Sequence, residues 1–257
     1  MSNPALRMLS RTLKHFALLA LFVGTTAGPA IAGELRLSVA ASLKDAITEL
    51  SLSYTKKHPE AVFTNNFGAS GALAGQIQNG APADLFISAN KKWMEFLKTE
   101  KAVDPLSERP FTKNTLVFTG TTSSKVSSMK DLAKLDKIAI GSPKSVPAGD
   151  YAMQALRNAG MQQKLAGKIV MAKDVRECLM YAELGEVDGG FVYKTDALLA
   201  KKATVRFEVP PALYPPVEYP MALTADGASN PEAKAFISYL EGPEAAAVLK
   251  KYGFTTR

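Results

Sequence analysis

From Leu35 onward, short apolar runs alternate with amphipathic stretches, and this alternation restricts the fold more than any other feature of the chain. Leu35 to Ala40, Ala61 to Phe67 and Asp84 to Ala89 read as strands, each followed by a helix. In the first helix Leu43, Ile47, Leu50 and Tyr54 recur at i, i+4, i+7 and i+11, one apolar stripe, and the helix ends before His58-Pro59. Strands and helices alternating at these lengths predict an α/β fold with mostly parallel sheets covered on both faces. The segment Asp104 to Lys113 reads as a loop. A second series follows: strand Thr115 to Thr119, helix near Met129 to Leu135, strand Lys137 to Gly141, helix Gly149 to Ala159, strand Lys168 to Ala172, helix Val175 to Leu184, and strands Gly189 to Lys194 and Thr204 to Val209. The proline-rich Pro210 to Pro216 marks a crossing or hinge. Strand Glu218 to Thr224 and helices Pro231 to Leu240 and Pro243 to Tyr252 close the chain. Boundaries near 114 and 214 divide it into a first lobe from 33 to 114, a second from 115 to 214, and a last segment, 215 to 257. Periodicity does not say where that last segment goes. A return to the first lobe is the economical arrangement, because residues 33 to 113 alone supply three strands and a small core.

The first 32 residues read differently. Arg7, Arg11 and Lys14 precede the apolar Phe16 to Val23, and Ala30-Ile31-Ala32 forms a small-residue cleavage site, the pattern of a secretory signal cut after Ala32. Eight apolar residues fall far below the roughly 20 that a spanning helix needs. No cysteine follows the cleavage site, so no lipid attachment is expected, and the destination is the periplasm of a bacterium with two membranes. Of the formal charge of +7, the leader carries three positive groups and no acid. The remaining basic pairs, Lys91-Lys92, Lys201-Lys202 and Lys250-Lys251, are scattered, which argues against a nucleic-acid partner. One cysteine, Cys178, excludes an internal disulfide and multi-cysteine metal sites. Two histidines without HExxH or an acidic loop leave no metal-cation site expected.

Ligands of open parallel sheets sit beyond the carboxyl ends of the strands, where helix N-termini point. Four junctions qualify. Ala40-Ala41-Ser42-Leu43 and Phe67-Gly68-Ala69-Ser70-Gly71 each offer a hydroxyl beside bare amides. Ser145-Val146-Pro147-Ala148-Gly149 presets a helical turn with proline, and Lys173-Asp174-Val175 opens a helix that Asp174 can cap. Unpaired N–H groups and the helix dipole make such starts anion sites without any Lys or Arg, and Ala41, Ala69, Gly71, Ala148 and Gly149 let backbone approach closely. Ordinary N-capping explains any one of these serines equally well. Tyr193, ending Gly190-Phe191-Val192-Tyr193, reads as an anion donor or as a packing ring. Cys178 shares a stripe with Val175, Leu179 and Ala182 and reads as a buried, inert thiol; Trp93, Phe96 and Leu97 read as core.

A serine hydrolase has one passable elbow, Gly68-Ala69-Ser70-Gly71-Ala72, which lacks the final glycine of G-x-S-x-G, and its base would have to be His58. Phosphate-binding glycine fingerprints are absent, which removes the cradles of phosphoryl and hydride transfer. No catalytic residue and no cofactor are expected.

At these junctions the chain resembles the periplasmic molybdate-binding proteins of bacterial ABC importers. The resemblance rests on Ala40-Ala41-Ser42-Leu43, Phe67 to Gly71, Gly80-Ala81-Pro82-Ala83-Asp84-Leu85-Phe86-Ile87-Ser88-Ala89, Val146-Pro147-Ala148-Gly149, Asp174-Val175-Arg176, Val192-Tyr193 and Lys250-Lys251-Tyr252-Gly253-Phe254-Thr255. It implies a type II two-lobed periplasmic binding protein fold with the ligand in the interlobe cleft. It also implies that residues after about 214 rejoin the first lobe. The implied ligands of molybdate, and of tungstate, are Ser42, Ser70, Ala148, Val175 and Tyr193. The implied partners are a membrane permease and its cytoplasmic ATPase, with the receptor itself a monomer that does not insert in the membrane. Amides and hydroxyls that donate suit a fully deprotonated tetrahedral dianion. Hydrogen phosphate brings a proton that needs an acceptor, whereas sulfate does not, so a receptor for sulfate or another oxyanion is the competing reading. A transcription regulator of the same shape would carry a DNA-binding helix pair, which this chain does not.

Overall fold

The computed structural model describes residues 33–256; the expected leader and its cleavage point lie outside the described residues. Apolar runs became strands and amphipathic stretches helices. The first series is β1 (Glu34–Ala40), α1 (Lys44–Thr55), β2 (Val62–Gly68), α2 (Ser70–Gln78), β3 (Leu85–Ile87), α3 (Lys91–Thr99) and β4 (Arg109–Asn114). The second is β5 (Leu116–Gly120), β6 (Ile138–Gly141), α4 (Pro147–Asn158), α5 (Gln162–Leu165), β7 (Ile169–Ala172), α6 (Val175–Leu184), β8 (Gly189–Tyr193), α7 (Lys194–Ala197) and β9 (Thr204–Glu208). β10 (Val217–Leu223), α8 (Pro231–Leu240) and α9 (Pro243–Lys251) end the chain. The stripe on α1 faces inward: Leu43, Ile47 and Leu50 are fully buried, each contributing about 1.5–3 kcal/mol of apolar burial. α8 and α9 pack against α1.

Two five-stranded sheets result, ordered β2-β1-β3-β10-β4 and β7-β6-β8-β5-β9. In the first, β1 runs parallel to β2 and β3, while β10 is antiparallel to β3 and β4. In the second, β6 runs parallel to β7 and β8, while β5 is antiparallel to β8 and β9. Each sheet is therefore mixed, with a single reversed strand, and in each sheet that strand is the one arriving from the other half. The chain passes between the sheets twice, at Thr115 between β4 and β5 and through residues 209–216 between β9 and β10. This is a two-lobed periplasmic binding protein fold.

Two local expectations needed correction, and two short helices were not anticipated. The loop Asp104 to Lys113 holds most of strand β4, which has no apolar run to announce it: Arg109, Pro110 and Lys113 are exposed and only Phe111 and Thr112 are buried. Among the strands it pairs with β10, at the sheet edge, where proline and charge are tolerated, and Lys113 adds one antiparallel bridge to Thr255. The helix near Met129 to Leu135 is a 3-10 helix, Met129–Lys134. The four-residue helices α5 and α7 are too short to display a stripe.

Candidate functional site

Parallel pairing sets the register that builds the site. Ala40 is opposite Gly68, so Ser42 and Ser70, each two residues further on, leave adjacent strands at the same rim. Ser42 lies in the 3-10 turn Ala41–Leu43 that leads into α1, and Ser70 opens α2. In the second sheet Gly141 is opposite Ala172, and the helices that follow β6 and β7 begin at Pro147 and Val175. Tyr193 ends β8, beside β6. Ser42, Ser70, Ala148, Val175 and Tyr193 all line one cavity between the sheets. The cavity is small, with walls that stand close together.

The lining presents donors. Ser70 is fully buried and its Oγ accepts from the Ala89 amide at 2.9 Å, which leaves the hydroxyl proton for the cavity. Ser42 Oγ lies 2.8 Å from the Tyr219 hydroxyl. The Tyr193 hydroxyl is buried with no hydrogen-bond partner, and burial, with Tyr219 beside it, raises its pKa well above the ordinary phenol value, so it stays a donor. Pro147 has no N–H and Val146 has no capping side chain, so the Ala148 amide heads α4 without a protein acceptor among the described residues. Gly149 is required here: a Cβ would stand 1.7 Å from the Gly141 carbonyl oxygen. On α6, the Asp174 Oδ1 accepts from the Arg176 and Glu177 amides, leaving the Val175 amide open. Asp174, read as a cap, is one, and also the one acid in the cavity wall.

Contacts between the halves shut the cavity. The Gly71 amide donates to the Ser145 carbonyl at 2.9 Å, and Trp93 packs where a Gly71 side chain would be; the tryptophan is half-buried rather than core. Arg176 Nη2 donates to the Ser42 carbonyl at 3.2 Å and to Asp45 at 2.7 Å, and its Nε stands 2.6 Å from Asp196. Burial pushes the Asp196 carboxyl up to about 6 against the pull of Arg176. Cys178 is fully buried, its Sγ 3.3 Å from the Phe191 carbonyl, and burial raises its thiol pKa. His58 stacks on Tyr54 at 4.1 Å and stands 3.5 Å from Glu60, outside the wall that holds Ser70, and so is not placed beside that serine. Its cluster with Glu60 and Glu232 likewise contributes nothing to the cavity. Tyr219, Asn114, Arg176 and Ala89 support the site and carry no local signal, since each acts on a residue at least 19 positions away.

Two α/β halves crossed twice by the chain, with a small donor-lined cavity between them, define a two-lobed solute receptor. The bacterial extracellular solute-binding protein family matches residues 35–255, and the chain belongs to that family. Among its relatives, a Bacillus subtilis (strain 168) protein provisionally named an ABC transporter substrate-binding lipoprotein is 41% identical over 223 residues, 86% of either chain. The molybdate-binding protein ModA of Escherichia coli (strain K12) is 38% identical over 244 residues, 90% of this chain and 93% of its own. The solved periplasmic molybdate-binding protein of Azotobacter vinelandii superposes with a TM-score of 0.80 at 26% identity, covering 87% of this chain and 99% of the other.

Proposed function

We propose that this protein captures molybdate, with tungstate as a second ligand, and hands it to the permease of an ABC importer driven by a cytoplasmic ATPase. The observation that carries the reading is the convergence of Ser42, Ser70, Ala148, Val175 and Tyr193 on one closed cavity. The two serine and one tyrosine hydroxyls and the open amides of Ala148 and Val175 neutralise the dianion through charge-assisted hydrogen bonds rather than through a counter-charge. Partial positive charge at the starts of α4 and α6 adds to them. Relatives named for molybdate binding support the choice of ion. In this reading the chain is exported by a leader cut after Ala32 and works in the periplasm as a monomer. Residues 33–114 and 215–257 act as one lobe and 115–214 as the other. Anion binding draws the halves together, a shift of an open-closed equilibrium, and no bond is made or broken.

Sulfate satisfies the same donor set, so a receptor for sulfate or another tetrahedral oxyanion is the second reading. Calorimetric titration of sodium molybdate into the purified protein, repeated in excess sulfate, separates the two. Tight one-to-one binding that survives sulfate is the expected result; no molybdate binding, or its loss to sulfate, moves the assignment to another oxyanion.

A further inference from the structure

We infer that Tyr219, oriented by Asn114, is a positioning residue that turns the Ser42 hydroxyl proton toward the cavity. This rests on the oxyanion reading of the cavity and adds to it a residue that touches no ligand. The direction of each hydrogen bond follows from the groups available. The Thr115 amide donates to Asn114 Oδ1 at 2.9 Å, which fixes the orientation of that side-chain amide. Asn114 Nδ2 then has two protons to give, one to Thr195 Oγ1 at 2.8 Å and one to the Tyr219 hydroxyl at 3.3 Å. Tyr219 is fully buried and burial raises its pKa, so its oxygen keeps its single proton. Asn114 Nδ2 can only donate, so Ser42 Oγ, 2.8 Å away, is the acceptor left for that proton among the described partners. Ser42 accepts it and turns its own proton toward the cavity it lines.

Ser70 is set the same way by a different donor, the Ala89 amide. Both hydroxyls thus spend acceptor capacity on protein donors and offer hydrogen to the ligand. Asn114 ends β4 and Tyr219 lies within β10.

The test is Tyr219→Phe, which keeps the buried ring, with sodium molybdate, sodium sulfate and inorganic phosphate titrated at neutral pH into the unaltered protein, the variant, Ser42→Ala and the double variant. Tyr219→Phe removes the donor that sets the direction of the Ser42 hydroxyl. The expected result is a loss of affinity for the best-bound anion of about tenfold. In the Ser42→Ala background the same change is expected to alter affinity by less than about twofold. Unchanged affinity, or the same loss without Ser42, overturns the role of Tyr219 while leaving the receptor reading intact. Failure of the unaltered protein to bind any of the three overturns both.

Discussion

Replacing Ser70 with Ala removes one hydroxyl with two separate duties. Toward the cavity, in the proposed site, it is to supply a hydrogen bond to the anion; toward the protein it accepts the Ala89 amide at 2.9 Å in a position with no solvent exposure. A hydrogen bond to a charged group is worth about 1.5–3 kcal/mol, which corresponds to roughly a 10- to 150-fold increase in Kd. The stranded Ala89 N–H costs stability separately, about 1–3 kcal/mol, and that loss is present without ligand. Calorimetric titration with molybdate reads the first effect and urea unfolding of the ligand-free protein the second. Unchanged affinity for Ser70→Ala would show that the hydroxyl does not face the ion, and unchanged affinity in Ser42→Ala as well would end the site assignment. Lowered affinity with unchanged stability would refute the acceptor duty alone.

Tyr193→Phe should separate the two effects in the opposite way: its hydroxyl has no protein partner, so anion affinity falls while urea unfolding of the free protein is unchanged or slightly more difficult. Gly149→Ala places a Cβ against the Gly141 carbonyl, and the start of α4 must shift; molybdate affinity is expected to drop several-fold together with the thermal midpoint. Asp84 is buried and accepts from the Arg36 amide, Nε and Nη2 at 2.7, 2.9 and 2.8 Å. Burial alone would raise its carboxyl pKa, but these bonds outweigh burial and hold it below the ordinary value. A depressed folded pKa contributes stability above the unfolded carboxylate pKa of about 3.9 and loses it as pH falls through the folded value. Asp84→Asn is therefore expected to lower stability at neutral pH and flatten the acid limb of a stability-pH profile; an unchanged acid limb would refute the assignment.

Wherever burial acts on one element at a time, the chain's own pattern was sufficient. Helices Val175–Leu184 and Pro231–Leu240 match the sequence reading at both ends, because Asp174 and the Asn230-Pro231 pair are local start signals whose partners lie two or three residues away. Strand β4 escaped notice for the complementary reason: an edge strand buries only two of its six residues, too few to make a pattern. Membership of the α/β class, the existence of two series and the small-residue junctions were all legible, since each is written in neighbouring residues.

What the sequence by itself determined is thus most of the elements and the small-residue junctions at their ends, with Ser42, Ser70, Ala148 and Val175 at helix starts and Tyr193 at the end of a strand. Only the tertiary structure decided that these meet, that β10 enters between β3 and β4 while β5 enters between β8 and β9, and that Ser42 Oγ lies 2.8 Å from the hydroxyl of Tyr219, 177 positions later. The physical reason is range. A cap or an apolar stripe is settled within one or two helical turns, whereas the direction of a hydroxyl proton depends on which donor the folded chain brings within 3 Å.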